Sequence, residues 1–123
     1  MKVMEIDLKT IVMKPVIEEE LVKSFNLMWG KFPAPVVLIH KSKTIISSNE
    51  QAKILSQGKL TYGLKCTSMP GDHKNCKANQ ALKEQKSMTS PFELNGVQNL
   101  SYWVPLNGEA DYYLHFCLPN QLS

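Results

Sequence analysis

The dipeptide Asn-Gly occurs twice in the last third of the sequence, at Asn95-Gly96 and Asn107-Gly108, each time between runs of strand-forming residues. Asn-Gly is the strongest short-range hairpin signal, because both residues of the tightest turn must take positive φ and these two tolerate it best. Two such turns twelve residues apart impose three consecutive antiparallel strands. The spacing predicts a meander of about Thr89–Leu94, Val97–Leu106 and Glu109–Leu118. With a two-residue second turn, Trp103 faces Tyr112, Tyr102 faces Tyr113 and Leu100 faces His115. Cross-strand aromatic pairs of this kind contribute roughly 0.2–1 kcal/mol each.

Three strands with aromatics on both faces need covering layers, and the rest of the chain supplies them. Residues 1–14 alternate weakly and read as an N-terminal arm or a short strand. Pro15 suits the first position of a helix, and Glu18, Glu19 and Glu20 complement its positive end. Ile17, Leu21, Phe25 and Met28 recur at helical spacing, Val22 and Trp29 widen that face, and Gly30 supplies a stop. An amphipathic helix over about Pro15–Trp29 follows, flanking what comes after residue 31. Val36-Val37-Leu38-Ile39-His40 reads as a buried strand, Lys41-Ser42-Lys43 as a turn, and Thr44-Ile45-Ile46-Ser47 as its antiparallel return. Ser48 and Gln51 have capping-box spacing ahead of a short helix from Asn49 to about Ser56, with Ala52 and Leu55 inward. Residues 59–75 form a long irregular connection, and a second short helix spans about Cys76–Lys86 with Asn75 as its cap. The 123 residues leave room for one domain, large enough to hold a core without disulfide or metal.

This order of elements resembles a PAS domain over residues 33–119. Pro35-Val36-Val37-Leu38-Ile39-His40-Lys41 followed by Thr44-Ile45-Ile46 is similar to the first PAS hairpin. Asn49 with Ala52 resembles the Asn-x-x-Ala step that opens the first PAS helix. Tyr102-Trp103-Val104-Pro105-Leu106 and Tyr112-Tyr113-Leu114-His115-Phe116 resemble the last two strands. The resemblance implies an α+β fold, with a five-stranded antiparallel sheet, short helices on one face and an N-terminal flanking helix. It also implies a small-molecule or cofactor pocket between sheet and helices, and homodimerisation through the flanking helix, where Leu21, Phe25 and Met28 are the contact residues. It does not choose a ligand. The stretch Asn75-Cys76-Lys77-Ala78-Asn79-Gln80 lacks the arginine and the Phe-Leu pair of the flavin photosensor pattern, so a flavin–cysteine adduct is not expected. Haem has only His73 as a nearby axial ligand.

Cys66, His73 and Cys76 fall within eleven residues, and three readings stay open for them. They are ligand types for zinc or iron, with Asp72 or a partner residue as the fourth. Cys76, between Lys74 and Lys77 near a helix start, also suits a reactive thiol, with Cys66 as its resolving partner. The third reading makes both cysteines small hydrophobes that hold a loop to the core. His115 lines the PAS pocket together with Tyr102 and Tyr113 if that face points inward; on the other face it is structural. The alternation does not decide between the faces, since both are rich in aromatics.

All fourteen basic residues are lysine, against eleven acids, for a formal charge of +3. Without arginine there is no bidentate fork for guanine edges or phosphate, which argues against sequence-specific nucleic-acid recognition. The excess gathers in residues 53–86, with seven lysines against Asp72 and Glu84, while residues 87–123 hold three acids and no lysine. No nucleophile elbow, phosphate loop or telling pair of acids supports an enzyme. No apolar run approaches the ~20 residues of a membrane helix, and an odd, low cysteine count suits a reducing cytoplasm. The sequence thus points to a sensory or ligand-binding module that is not an enzyme. It would bind a small molecule or partner and pass a signal to another chain or domain. The alternative is a thiol redox or metal-binding switch at Cys66, His73 and Cys76.

Overall fold

The computed structural model describes residues 18–59, 62–66 and 76–119. The expected arm over residues 1–14, the first turn of the N-terminal helix, His73 and Asn75 lie outside the described residues. Helix α1 runs over residues 18–29. It is followed by β1 (Val36–His40), β2 (Ile45–Ser48), α2 (Glu50–Leu55), α3 (Ala78–Glu84), β3 (Met88–Leu94), β4 (Val97–Leu106) and β5 (Glu109–Pro119). The strands form one five-stranded sheet in the order β2-β1-β5-β4-β3, with every neighbouring pair antiparallel. β5 is the central strand, joining the N-terminal hairpin to the meander.

Each face of the sheet carries its own core. On the outer face Phe25 of α1 packs against Val36, Leu38, Ile46 and Leu114, with Leu21, Val22, Trp29 and Phe32 around it. On the inner face Ile39, Trp103 and Tyr113 pack against Ala78 and Ala81 of α3. The two alanines sit one turn apart and are wholly buried. Their small side chains let α3 approach the sheet closely, while the tryptophan and tyrosine fill the remaining volume.

Helix α1 ends where a side chain no longer fits. The Gly30 amide donates to the Asn26 carbonyl (3.1 Å), and a Cβ on Gly30 would run into that same oxygen. The cap of α2 is Asn49 rather than the expected Ser48, because Ser48 pairs with Val37 as the last residue of β2. Only the first turn of α2 lies against the sheet. Ala52 is buried there as expected, but Leu55 is 75% exposed rather than inward. Helix α3 starts at Ala78, later than expected, with Lys77 at a cap position that makes no side-chain bond. It ends at Gln85, which takes a left-handed conformation (φ 52°).

The meander has its predicted strands, but its second ladder has a different register. At the first turn Asn95 and Gly96 both take positive φ (52° and 80°), as the dipeptide requires. At the second turn only Gly108 does (89°). Leu106 pairs with Glu109 across it, as expected for a two-residue loop, and a bulge follows between Pro105 and Leu106. Beyond the bulge Trp103 faces His115, Tyr102 faces Phe116 and Leu100 faces Leu118, not Tyr112, Tyr113 and His115. Pro105 has no N–H to give the ladder, and a bulge next to a turn is where a strand tolerates that loss.

Candidate functional site

An odd shift of register moves side chains to the opposite face of a sheet. The three residues proposed to line one pocket are therefore divided. Tyr113 and His115 face inward, toward α3. Tyr102 faces outward, stacked on Phe116 with ring centroids 5.0 Å apart and planes at 13°. Phe116 also packs against Trp29 and Phe32, which ties Tyr102 to the α1 side.

Tyr113 is the centre of the inner face, 1% exposed. His115 stacks on Trp103 (5.1 Å, 15°), and its Nδ1 lies 2.9 Å from the Tyr102 carbonyl oxygen. A carbonyl can only accept, so this nitrogen carries the proton. Burial holds the Tyr113 phenol far above its usual range, and the neighbouring Cys66 and Cys76 thiols push it the same way. Cys66 packs against the cluster that holds this tyrosine. Cys66 is itself half-buried, and desolvation raises its thiol against the opposing pull of Lys43. The Lys43 ammonium stands 5.7 Å from the Tyr113 ring centroid and donates to Asn79 Oδ1 on α3 (2.7 Å).

Residues 62–66 bring Cys66 to this point by running along the edge of β2. The Ile45 amide donates to the Leu64 carbonyl (2.8 Å), the Gly63 amide to the Ile45 carbonyl (2.9 Å), and the Cys66 amide to the Lys43 carbonyl (2.8 Å). These bonds close a strand edge that would otherwise offer unpaired backbone groups. Cys76 is exposed, two residues ahead of Ala78. With His73 outside the described residues, the expected Cys/His triplet is represented by its two cysteines. Among the described residues no three His, Cys, Asp or Glu side chains form a metal-holding group.

A second constellation joins α1 to the rest of the fold. The two Glu18 carboxylate oxygens each accept a phenol hydrogen bond, from Tyr62 and from Tyr112, both at 2.9 Å. Partial burial and the carboxylate push the Tyr112 phenol up to about 12. Read from sequence, Glu18 is one of three glutamates at the positive end of a helix. Its partners lie 44 and 94 residues away, and no local pattern connects them. Of Leu21, Phe25 and Met28, the residues the amphipathic pattern offers to a dimer, Phe25 is 3% exposed in the chain's own core and Leu21 packs beside it. Met28 is 68% exposed, next to the exposed Leu27. A shallow groove between α3 and the β4–β5 turn is lined by Lys41, Lys83, Asn79 and Asp111 among others. Lys41 and Asp111 pair across it at 3.4 Å.

A sheet of this order, with α1 on its outer face and the short helix α3 on its inner one, has the architecture of a PAS-type domain. Solved structures agree. The chain is similar to a domain of an HTR-like protein from Haloarcula marismortui, with a TM-score of 0.59 and 14% identity over 72% of this chain and 99% of that one. It is also similar to the photoactive yellow protein domain of the sensor histidine kinase Ppr from Rhodospirillum centenum, with a TM-score of 0.54 and 15% identity over 76% and 91%. A sensory box sensor histidine kinase from Vibrio cholerae matches with a TM-score of 0.56 and 13% identity over 90% and 92%. No protein-family model and no curated protein sequence matches the chain. The chain therefore has the PAS fold. Among the described residues no helix is long and apolar enough to cross a membrane.

Proposed function

We propose that this chain is a PAS-type sensory module. It takes a small molecule or a partner at the inner face, around Tyr113 and His115, and passes the change to another chain or domain through α1. The reading rests on the Glu18 contacts. One carboxylate on α1 holds a residue of the central strand and a residue of the segment that carries Cys66. A shift of either one alters how α1 is held. Two of the similar structures named above come from sensor histidine kinases, and signalling is the role in which this reading places the chain. The module acts by binding, with no catalytic step of its own. Its homodimer contact is the exposed flank of α1 at Leu27 and Met28, since Phe25 serves the core.

The test has two parts. Protein purified under native conditions is denatured, and whatever it releases is identified by mass spectrometry. Hydrogen exchange of the α1 amides is then compared with the released compound absent and restored. Faster or slower exchange in α1 is the expected result. Binding that leaves α1 exchange unchanged would sink the coupling.

A further inference from the structure

Cys66 and Cys76 lie ten residues apart in the sequence and border one cluster in the fold. Cys66 packs on the inner core made by Ile39, Ala78, Ala81, Trp103 and Tyr113. Cys76 precedes Ala78, a wholly buried member of that core, by two residues. Two trans peptide steps hold its Cα within about 7.6 Å of the Ala78 Cα. The two thiols are electrostatic neighbours of each other and of the Tyr113 phenol. They differ in access: Cys76 is exposed and Cys66 half-buried. The third cysteine, Cys117, stands elsewhere on β5, with its sulfur 3.4 Å from Ser101 Oγ.

We propose that Cys66 and Cys76 form a reversible dithiol–disulfide site, oxidised by hydroperoxides, with Cys76 as the thiol attacked first and Cys66 as the resolving thiol. In the first step the exposed Cys76 thiolate attacks a peroxide oxygen. An S–O bond forms, the O–O bond breaks, and the departing hydroxide takes a proton to become water. In the second step the Cys66 thiolate attacks the Cys76 sulfur. The S–S bond forms, the S–O bond breaks, and a second water leaves. In total two thiols give up two protons and two electrons, and one hydrogen peroxide becomes two waters.

The surroundings of Cys66 suit the resolving role. Partial burial makes it less accessible to peroxide than Cys76, and desolvation favours its neutral form at rest. The Tyr113 hydroxyl and the Lys43 ammonium stabilise the thiolate when it is needed. The disulfide would tie the approach to α3 to residues 62–66. That segment also carries Tyr62, the residue bound to Glu18 on α1. The use of this site as a signal rests on the sensory reading given above; the disulfide itself does not.

The full-length reduced chain is treated with hydrogen peroxide, alkylated and mapped by peptide mass spectrometry. The expected result is loss of two hydrogens from the intact mass and a fall from three alkylated cysteines to one, Cys117, with Cys66 and Cys76 linked. In Cys66→Ser, oxidation stops at a Cys76 sulfenic acid trapped by dimedone, and Cys117→Ser behaves as the parent. A link through Cys117, links only between chains, or three free thiols after treatment would each overturn the site. Hydrogen exchange of α1 is measured before and after oxidation. A change there supports the signalling use, and a disulfide with unchanged α1 overturns that use alone.

Discussion

Asn49 is 1% exposed and its side chain makes five hydrogen bonds. Its Oδ1 accepts from the Val36 and Ala52 amides, both at 3.0 Å. Its Nδ2 donates to the carbonyls of Ala34 (2.8 Å), Trp29 (3.1 Å) and, more weakly, Phe32 (3.4 Å). One amide group thus joins the end of α1, the start of β1 and the start of α2. In Asn49→Ala the helix cap is lost, at about 1 kcal/mol. The Val36 amide, on a wholly buried residue, is left unpaired at roughly 1–3 kcal/mol. The Trp29 carbonyl keeps the Phe32 amide, so among the acceptors mainly Ala34 is stranded. With roughly 1 kcal/mol for the stranded Ala34 carbonyl, the sum is about 3–5 kcal/mol, a drop on the order of 10–20 °C in Tm for a domain of this size. Urea denaturation followed by tryptophan fluorescence measures it, and the m-value is expected to be unchanged. Asn49→Asp divides the effect. It keeps the acceptor for both amides but sets a carboxylate against carbonyls, so it destabilises at neutral pH and recovers in part on acidification. A loss below about 1 kcal/mol for Asn49→Ala would refute the reasoning, because buried partners left without bonds cannot be that cheap.

Three further outcomes follow from the same geometry. The Tyr112 phenol is raised on folding, so its contribution is fully present below pH 10 and is lost as pH rises through about 12. Tyr62 and Tyr113 act with the same sign, so Tyr112→Phe makes the alkaline fall of stability shallower without abolishing it, as equilibrium unfolding at pH 8 to 12 will read. Phe25→Ala costs about 3–5 kcal/mol as a core truncation, whereas Met28→Glu leaves unfolding nearly unchanged and shifts sedimentation toward the monomer; a dimer that survives Met28→Glu removes this flank as the contact. Lys31 and Glu50 pair at 3.1 Å with both side chains well exposed, so Lys31→Ala changes stability by less than about 0.5 kcal/mol in the same denaturation assay.

What the sequence discloses about this fold depends on how far each signal reaches. Asn95-Gly96 is a local instruction and is obeyed in full. Asn107-Gly108 is obeyed only in loop length, since Gly108 alone takes positive φ, and the ladder then bulges beside Pro105, which cannot donate. Nothing in the alternation of Tyr112, Tyr113 and Leu114 could have revealed the slip, since all three are large and all three bury against something. The inward set of residues was therefore legible in kind but not in membership, and Tyr102 changed sides. The amphipathic stripe of α1 shows that something covers it. It does not say whether the cover is the chain's own sheet or a second copy. Asn49 and Ala52 were legible as a family step, though the five bonds that explain the asparagine are visible only in three dimensions. Glu18 was legible as a helix-end charge and not as the partner of two tyrosines.

Tyr112 and Tyr113 are consecutive in the chain and belong to different cores. One shares a carboxylate with α1, and the other touches Cys66 and packs on α3. The interval between the two sides is a single peptide unit, about 3.4 Å of strand rise. In the signalling role proposed above, a change beside Tyr113 reaches the outer layer without a relay of side chains. A displacement of the Tyr113 Cα is linked to the Tyr112 Cα by one fixed separation of about 3.8 Å. Under that proposal the central strand is less a wall between two compartments than a shared edge, with adjacent side chains on either side.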